Sequence, residues 1–104
     1  MTIEAKPGTR LRSVVCTTEV VVVRAAGDAV DLRCGGQAVI PIDEARPDGV
    51  ELDAGWAEGT LLGKRYTDAG GTLELLCTKA GAGSLSIGDV PMQLSGAKPL
   101  PASD

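Results

Sequence analysis

Residues 19–42 read Glu-Val-Val-Val-Val-Arg-Ala-Ala-Gly-Asp-Ala-Val-Asp-Leu-Arg-Cys-Gly-Gly-Gln-Ala-Val-Ile-Pro-Ile, and this stretch decides the fold. Its apolar runs, 20–23, 29–32 and 39–42, are short and rich in Val and Ile, and Gly27-Asp28 and Gly35-Gly36 separate them with turn chemistry. β-Branched side chains suit a pleated sheet and crowd a helix, so these runs predict strands joined as hairpins. Val14-Val15 extends the series upstream. Downstream it returns at 61–62, 73–77, 84–87 and 91–94, punctuated by Gly70-Gly71, Gly81-Ala82-Gly83 and Gly88-Asp89. No ten-residue stretch repeats apolar residues at helical spacing behind a capping residue; one short helical turn is expected at 43–46, stopped by Pro47. The prediction is an all-β chain.

The two halves align with each other. Residues 19–27 lie over 74–81, and 32–39 lie over 85–92, at offsets of 55 (19 to 74) and 53 (39 to 92). A drifting offset fits fixed strands joined by turns of changing length, and Gly8-Thr9 is matched to Gly59-Thr60. The organisation expected is a first β unit at 1–46, a connector at 47–58, a second β unit at 59–94 and a flexible tail at 95–104. The run 20–23 is apolar on both faces of its strand, so one face is expected inside its unit and the other against the mate or a separate chain.

Composition removes whole classes of function. The 104 residues include 10 Lys plus Arg against 14 Asp plus Glu, and the only aromatics are Trp56 and Tyr66. That acidic, aromatic-poor balance argues against nucleic acid as a partner. No apolar run nears the ~20 residues of a spanning helix, and residues 1–12 hold no stretch of signal-peptide length, so neither a membrane nor export is expected and the location expected is cytoplasmic. With no histidine, Ser-His-Asp and Cys-His catalysis and imidazole metal sites are excluded. Three cysteines, an odd number without an export signal, point to thiols, a partial metal site or a redox pair.

Cys16-Thr-Thr-Glu19, a hairpin, then Leu32-Arg-Cys34-Gly35-Gly36-Gln-Ala-Val39 resembles the desulforedoxin unit, also found as the N-terminal domain of desulfoferrodoxin. The resemblance spans 14–40, and more weakly 66–92. It implies a rubredoxin-like β unit in which two turns bring four thiolates around one iron or zinc. Here Cys16 and Cys34 stand at the first and third ligand positions, with Glu19 and Gly35 at the second and fourth. In the second unit the corresponding places fall near Gly71 and at Glu74, Ile87 and Gly88, without any sulfur. Cys77 matches Val22 and reads as a buried apolar thiol.

Tetrahedral iron or zinc needs four well-placed donors. Cys16, Cys34 and Glu19 therefore stand open between a residual metal site closed by water, a reversible thiol pair and two idle thiols left from a decayed cage. The fold expected is two tandem desulforedoxin-like hairpin units forming a compact pseudo-dimer, covalently joined where desulforedoxin pairs separate chains. The leading functional expectation is a non-enzymatic accessory or protein-interaction module without a cofactor, acting through a protein partner or a homo-oligomer. The alternative is a small redox or metal protein using Cys16 and Cys34.

The remaining motifs have plainer readings. Lys64-Arg65-Tyr66 after Gly63 lacks the spacing of a phosphate loop and reads as a strand with solvated charges. Arg10 and Arg12 share one face of an expected edge strand. Asp43, Glu44, Asp48, Glu51, Asp53 and Glu58 match no EF-hand spacing and read as a solvated acidic linker. Trp56 is expected to plug the joint between units, with an exposed contact anchor as the alternative. Leu100, between two prolines, reads as part of the solvated tail.

Overall fold

The Val run becomes the six-residue strand Glu19–Arg24, and it pairs antiparallel with Glu74–Lys79, the segment the sequence lays over it. The computed structural model describes residues 3–4, 6–25, 29–47, 49–68 and 70–94. Within them lie β1 (Ile3–Glu4), β2 (Arg10–Arg12), β3 (Glu19–Arg24), β4 (Ala29–Val30), β5 (Leu32–Cys34), β6 (Gln37–Ala38), β7 (Ile40–Pro41), β8 (Arg65–Thr67), β9 (Glu74–Lys79), β10 (Leu85–Ile87), β11 (Val90–Pro91) and β12 (Gln93–Leu94). They form three antiparallel sheets: six strands in the order β12-β8-β9-β3-β2-β7, four in the order β11-β10-β5-β6, and the pair β1-β4. The chain is all-β.

The registers repeat along the chain. Arg10, Leu11 and Arg12 face Val21, Val20 and Glu19, and 55 residues later Arg65, Tyr66 and Thr67 face Leu76, Leu75 and Glu74. Between β3 and β9, Val20 faces Cys77, Val21 faces Leu76 and Val22 faces Leu75, a register that reads the same from either strand at that offset. Between β5 and β10, Leu32 faces Ile87, Arg33 faces Ser86 and Cys34 faces Leu85, with the same property at an offset of 53. Turns follow suit: Gly8 N–H donates to the Val22 carbonyl, and Gly63 N–H to that of Cys77. Both glycines have φ near +85°, where a Cβ is strained (+89° and +80°). The expected match of Gly8 to Gly59 is therefore corrected to Gly63.

Burial follows the pleat. Val20 and Val22 are buried, Val21 is half-buried, and Val23 is exposed at the strand's end. They join Leu11, Tyr66, Leu75 and Cys77 of the large sheet, and Leu32, Cys34 and Leu85 of the four-stranded one, in a single apolar cluster. Both halves of the chain thus share one core.

Several local expectations are corrected. Residues 14–15 are not a strand: the Ser13 hydroxyl accepts from Val15 N–H (3.0 Å) and Cys16 N–H (3.1 Å), which curls the chain into a turn. Leu61 and Leu62 lie exposed in a turn closed by the Lys64 N–H bond to the Leu61 carbonyl. β2 is not an edge strand, because β7 covers it; Pro41, lacking an N–H, sits in that outer strand. The helical turn falls at Ala54–Trp56, not 43–46, because Asp53 caps it by accepting from Gly55 N–H at 2.9 Å. Lys64 and Arg65 are exposed as expected. Of the acidic linker residues, Asp43, Glu44, Glu51, Asp53 and Glu58 are exposed, and Asp48 lies outside the described residues. So do the Gly27-Asp28 turn, Leu100 and the tail 95–104.

Asp68 clasps the turn that corresponds to 13–18. Its carboxylate accepts from Thr72 N–H (2.8 Å), the Thr72 hydroxyl (2.8 Å) and Leu73 N–H (3.1 Å). Burial pushes its carboxyl up, and these bonds outweigh that and hold it below the usual aspartate value. The stability it supplies is present above that usual value and lost as pH falls through the lower folded one. Asp68→Ala is expected to cost about 1–2 kcal/mol in urea unfolding at pH 7, and the difference should shrink in acid.

Candidate functional site: a close thiol pair

Two turns bring the first-unit cysteines together. Cys16 rides the turn after β2, and Cys34 ends β5 on its buried face, so that their Sγ atoms stand 3.8 Å apart. Both are free thiols. Bond formation at ~2.0 Å requires the sulfurs to approach by a little under ~2 Å in all.

The two sulfurs differ in surroundings. Cys16 is half-buried, and its Sγ lies 3.3 Å from the Ser13 hydroxyl, 3.2 Å from the Thr18 hydroxyl and 3.4 Å from the Gly83 N–H. Thiol S–H donates to the hydroxyls, whereas the thiolate accepts from all three groups. Burial raises the Cys16 pKa, and the bonds from Ser13, Thr18 and Gly83 outweigh it, lowering the thiol from 9.0 to about 7. Cys34 is fully buried, and burial together with the adjacent Cys16 charge pushes it up to about 12. Cys16 is therefore the more acidic of the two thiols and Cys34 the less acidic.

The second half of the chain closes over the pair. A Cβ on Gly81 would collide with the Thr18 hydroxyl and lie 2.9 Å from Cys16 Sγ, and one on Gly83 would lie 3.1 Å from Cys34 Sγ. Thr60, beside them and also buried, shares a 2.6 Å hydrogen bond with Thr18. The connector flanks the same place: Asp53 N–H donates to the Gly35 carbonyl (2.9 Å), and Ser84 N–H to that of Trp56 (2.7 Å). Trp56 is half-buried over Gly36, bridging the halves from the side rather than filling the core between them.

Glu19 opens β3 and lines a polar cavity beside Cys16, with Arg12, Thr17, Thr18, Arg46 and Lys79. Among the described residues, no group of three or more His, Cys, Asp or Glu side chains is gathered so as to hold a metal. At Gly35, where the desulforedoxin resemblance implies a fourth ligand, φ is +67° and a Cβ would strike Leu52 and lie 2.6 Å from Val15 Cγ2. Among the described residues, Cys16 and Cys34 bring together two sulfurs, against the four donors of a tetrahedral iron or zinc site. Of the second-half places that the resemblance implies, near Gly71 and at Glu74, Ile87 and Gly88, none carries a sulfur, and Cys77 is a buried thiol donating to the Lys79 carbonyl at 3.2 Å.

Sequence reasoning found both sulfurs but not what tunes them. Ser13 and Thr18, three residues before and two after Cys16, are a local signal of a hydroxyl-lined turn. Thr60, Gly81 and Gly83 arrive through tertiary contacts and leave no local mark.

The acidity of Cys16 predicts a pH profile. At pH 7 about half of it is thiolate, roughly 50-fold more than an ordinary thiol, while the lower basicity reduces intrinsic nucleophilicity roughly tenfold. Alkylation of the native protein by iodoacetamide should therefore run about fivefold faster than that of a model thiol, with a midpoint near pH 7. Ser13→Ala should move the midpoint upward; an unchanged midpoint excludes the hydroxyl as its cause.

Comparison with protein-family profiles, with characterised proteins and with solved structures returns no significant match for this chain.

Proposed function

We propose that the chain is a small non-enzymatic dithiol protein, a desulforedoxin-like unit written twice, whose dismantled metal cage survives as a reversible Cys16–Cys34 couple. The observation that carries this reading is the 3.8 Å separation of the two sulfurs. The pseudo-dimer is supported by registers that are self-complementary between β3 and β9 and between β5 and β10, the pairing a two-fold axis imposes on two like units. In this reading no metal takes part, and the work is exchange of two electrons with a thiol or disulfide partner.

Thiol counting tests it. In denaturant, three thiols should titrate after full reduction and one after mild oxidation of the folded protein, with Cys77 the survivor. Three in both states contradicts the couple. The second reading, a protein-interaction module with idle thiols, then stands. It is favoured by a groove of about 280 Å³ in which Leu61, Tyr66, Leu85, Met92 and Leu94 stand beside the polar Glu58 and Ser84, with Leu61 53% and Leu94 41% exposed.

A further inference from the structure

The cavity beside Cys16 differs in charge from the rest of the chain. Arg12, Arg46 and Lys79 line it with Glu19 as their one carboxylate, whereas the whole chain carries a net charge of −4. Its volume is about 130 Å³, roughly that of four waters in the liquid, which suits one short polar arm of a small molecule. Arg46 is held in its lining by a 2.8 Å bond from Nη1 to the Cys16 carbonyl, and a guanidinium has five donors in all. Thr17 is fixed from the other half through its hydroxyl bond to the Ala80 carbonyl at 2.7 Å. Among the described residues, none of the three cations forms an ion pair.

We propose that this cavity selects a carboxylate-bearing low-molecular-weight disulfide as the oxidant of the pair, its carboxylate held by Arg46 and Lys79 while Cys16 attacks the neighbouring sulfur. The inference rests on the dithiol reading above. Cys16 Sγ, as thiolate, forms a bond to one sulfur of R–S–S–R; the old S–S bond breaks and R–S⁻ leaves, taking a proton from solvent. Cys34, losing its proton to solvent, then attacks Cys16 Sγ, and the second R–S⁻ leaves and is protonated. The protein gives up two electrons and two protons, and one disulfide becomes two thiols. An anionic disulfide approaching a thiolate meets repulsion, which the cations offset.

Three disulfides of similar size separate the possibilities: anionic 3,3′-dithiodipropionate, neutral bis(2-hydroxyethyl) disulfide and cationic cystamine. Rates of oxidation of the reduced full chain are each divided by the rate of a neutral model thiol with the same reagent. The expected result is a normalised preference of about tenfold or more for the anion over the cation at low ionic strength. It should collapse towards unity in 1 M salt and in an Arg46→Glu/Lys79→Glu variant, but persist in Lys64→Glu, whose charge lies elsewhere. Equal normalised rates, or a preference for cystamine, overturn the selectivity and leave the dithiol reading intact. Failure of all three reagents to form the Cys16–Cys34 bond overturns both. The salt dependence of the native protein decides the matter even if the double variant does not fold.

Discussion

Cys34→Ser is expected to abolish the loss of two thiols on oxidation and to replace it with a single mixed disulfide on Cys16. The native protein can expel the first bound thiol because a second sulfur stands 3.8 Å away. Its effective concentration there far exceeds that of any thiol in solution. Without it, Cys16 stays linked to the small thiol, and the oxidised variant gains mass where the native protein loses only two hydrogens. Position 34 is fully buried in the shared core, so a serine hydroxyl there costs about 1–3 kcal/mol if unpaired. Cys34→Ala keeps the site apolar and should behave identically by mass. Retention of a two-thiol loss in either variant would mean that Cys16 pairs with Cys77 instead.

Gly81→Ala should destabilise the chain by about 1–3 kcal/mol, the usual cost of forcing a methyl into a filled space. The added carbon meets the Thr18 hydroxyl and backbone nitrogen and, at 2.9 Å, Cys16 Sγ. Because Gly81 bridges to Thr60 and Thr60 bonds Thr18, the strain falls on the seam between the two halves. For a domain of this size the melting temperature should drop by about 4–8 °C per kcal/mol. The Cys16 midpoint should rise with it, since Thr18 must move. A variant with native melting temperature and native midpoint would show that the loop at 81–83 does not press on the thiol.

The two paired thiols make opposed contributions to the pH dependence of stability. Cys16 is acidified in the fold, so its contribution is present above the unfolded value of 9.0 and lost as pH falls through about 7. Cys34 is pushed the other way, so its contribution is present below 9.0 and lost as pH rises towards about 12. Acidification from pH 9 to 7 should therefore lower the melting temperature of the reduced protein, and Cys16→Ser should remove that slope.

The strand content was legible because Val runs between glycine turns leave few alternatives. Errors arose where one polar side chain overrides an apolar run. Ser13 curls residues 14–15 into the turn that presents Cys16, and Asp53 places the helical turn ten residues later than Pro47 suggested. That Cys16 and Cys34 come together was legible from their two turns, but the asymmetry of the pair was not, because Gly83 and Thr60 reach it from across the fold. Glu19 was expected beside them, and strand geometry sets it along the cavity wall.

The most direct test of the central claim is a disulfide map of the folded protein after treatment with diamide, with free thiols blocked before digestion and mass spectrometry. The couple predicts one linkage, Cys16 to Cys34, within a single chain, with Cys77 recovered as a blocked thiol. Recovery of Cys16 and Cys34 as free thiols, or of Cys16 linked only between chains, would contradict it.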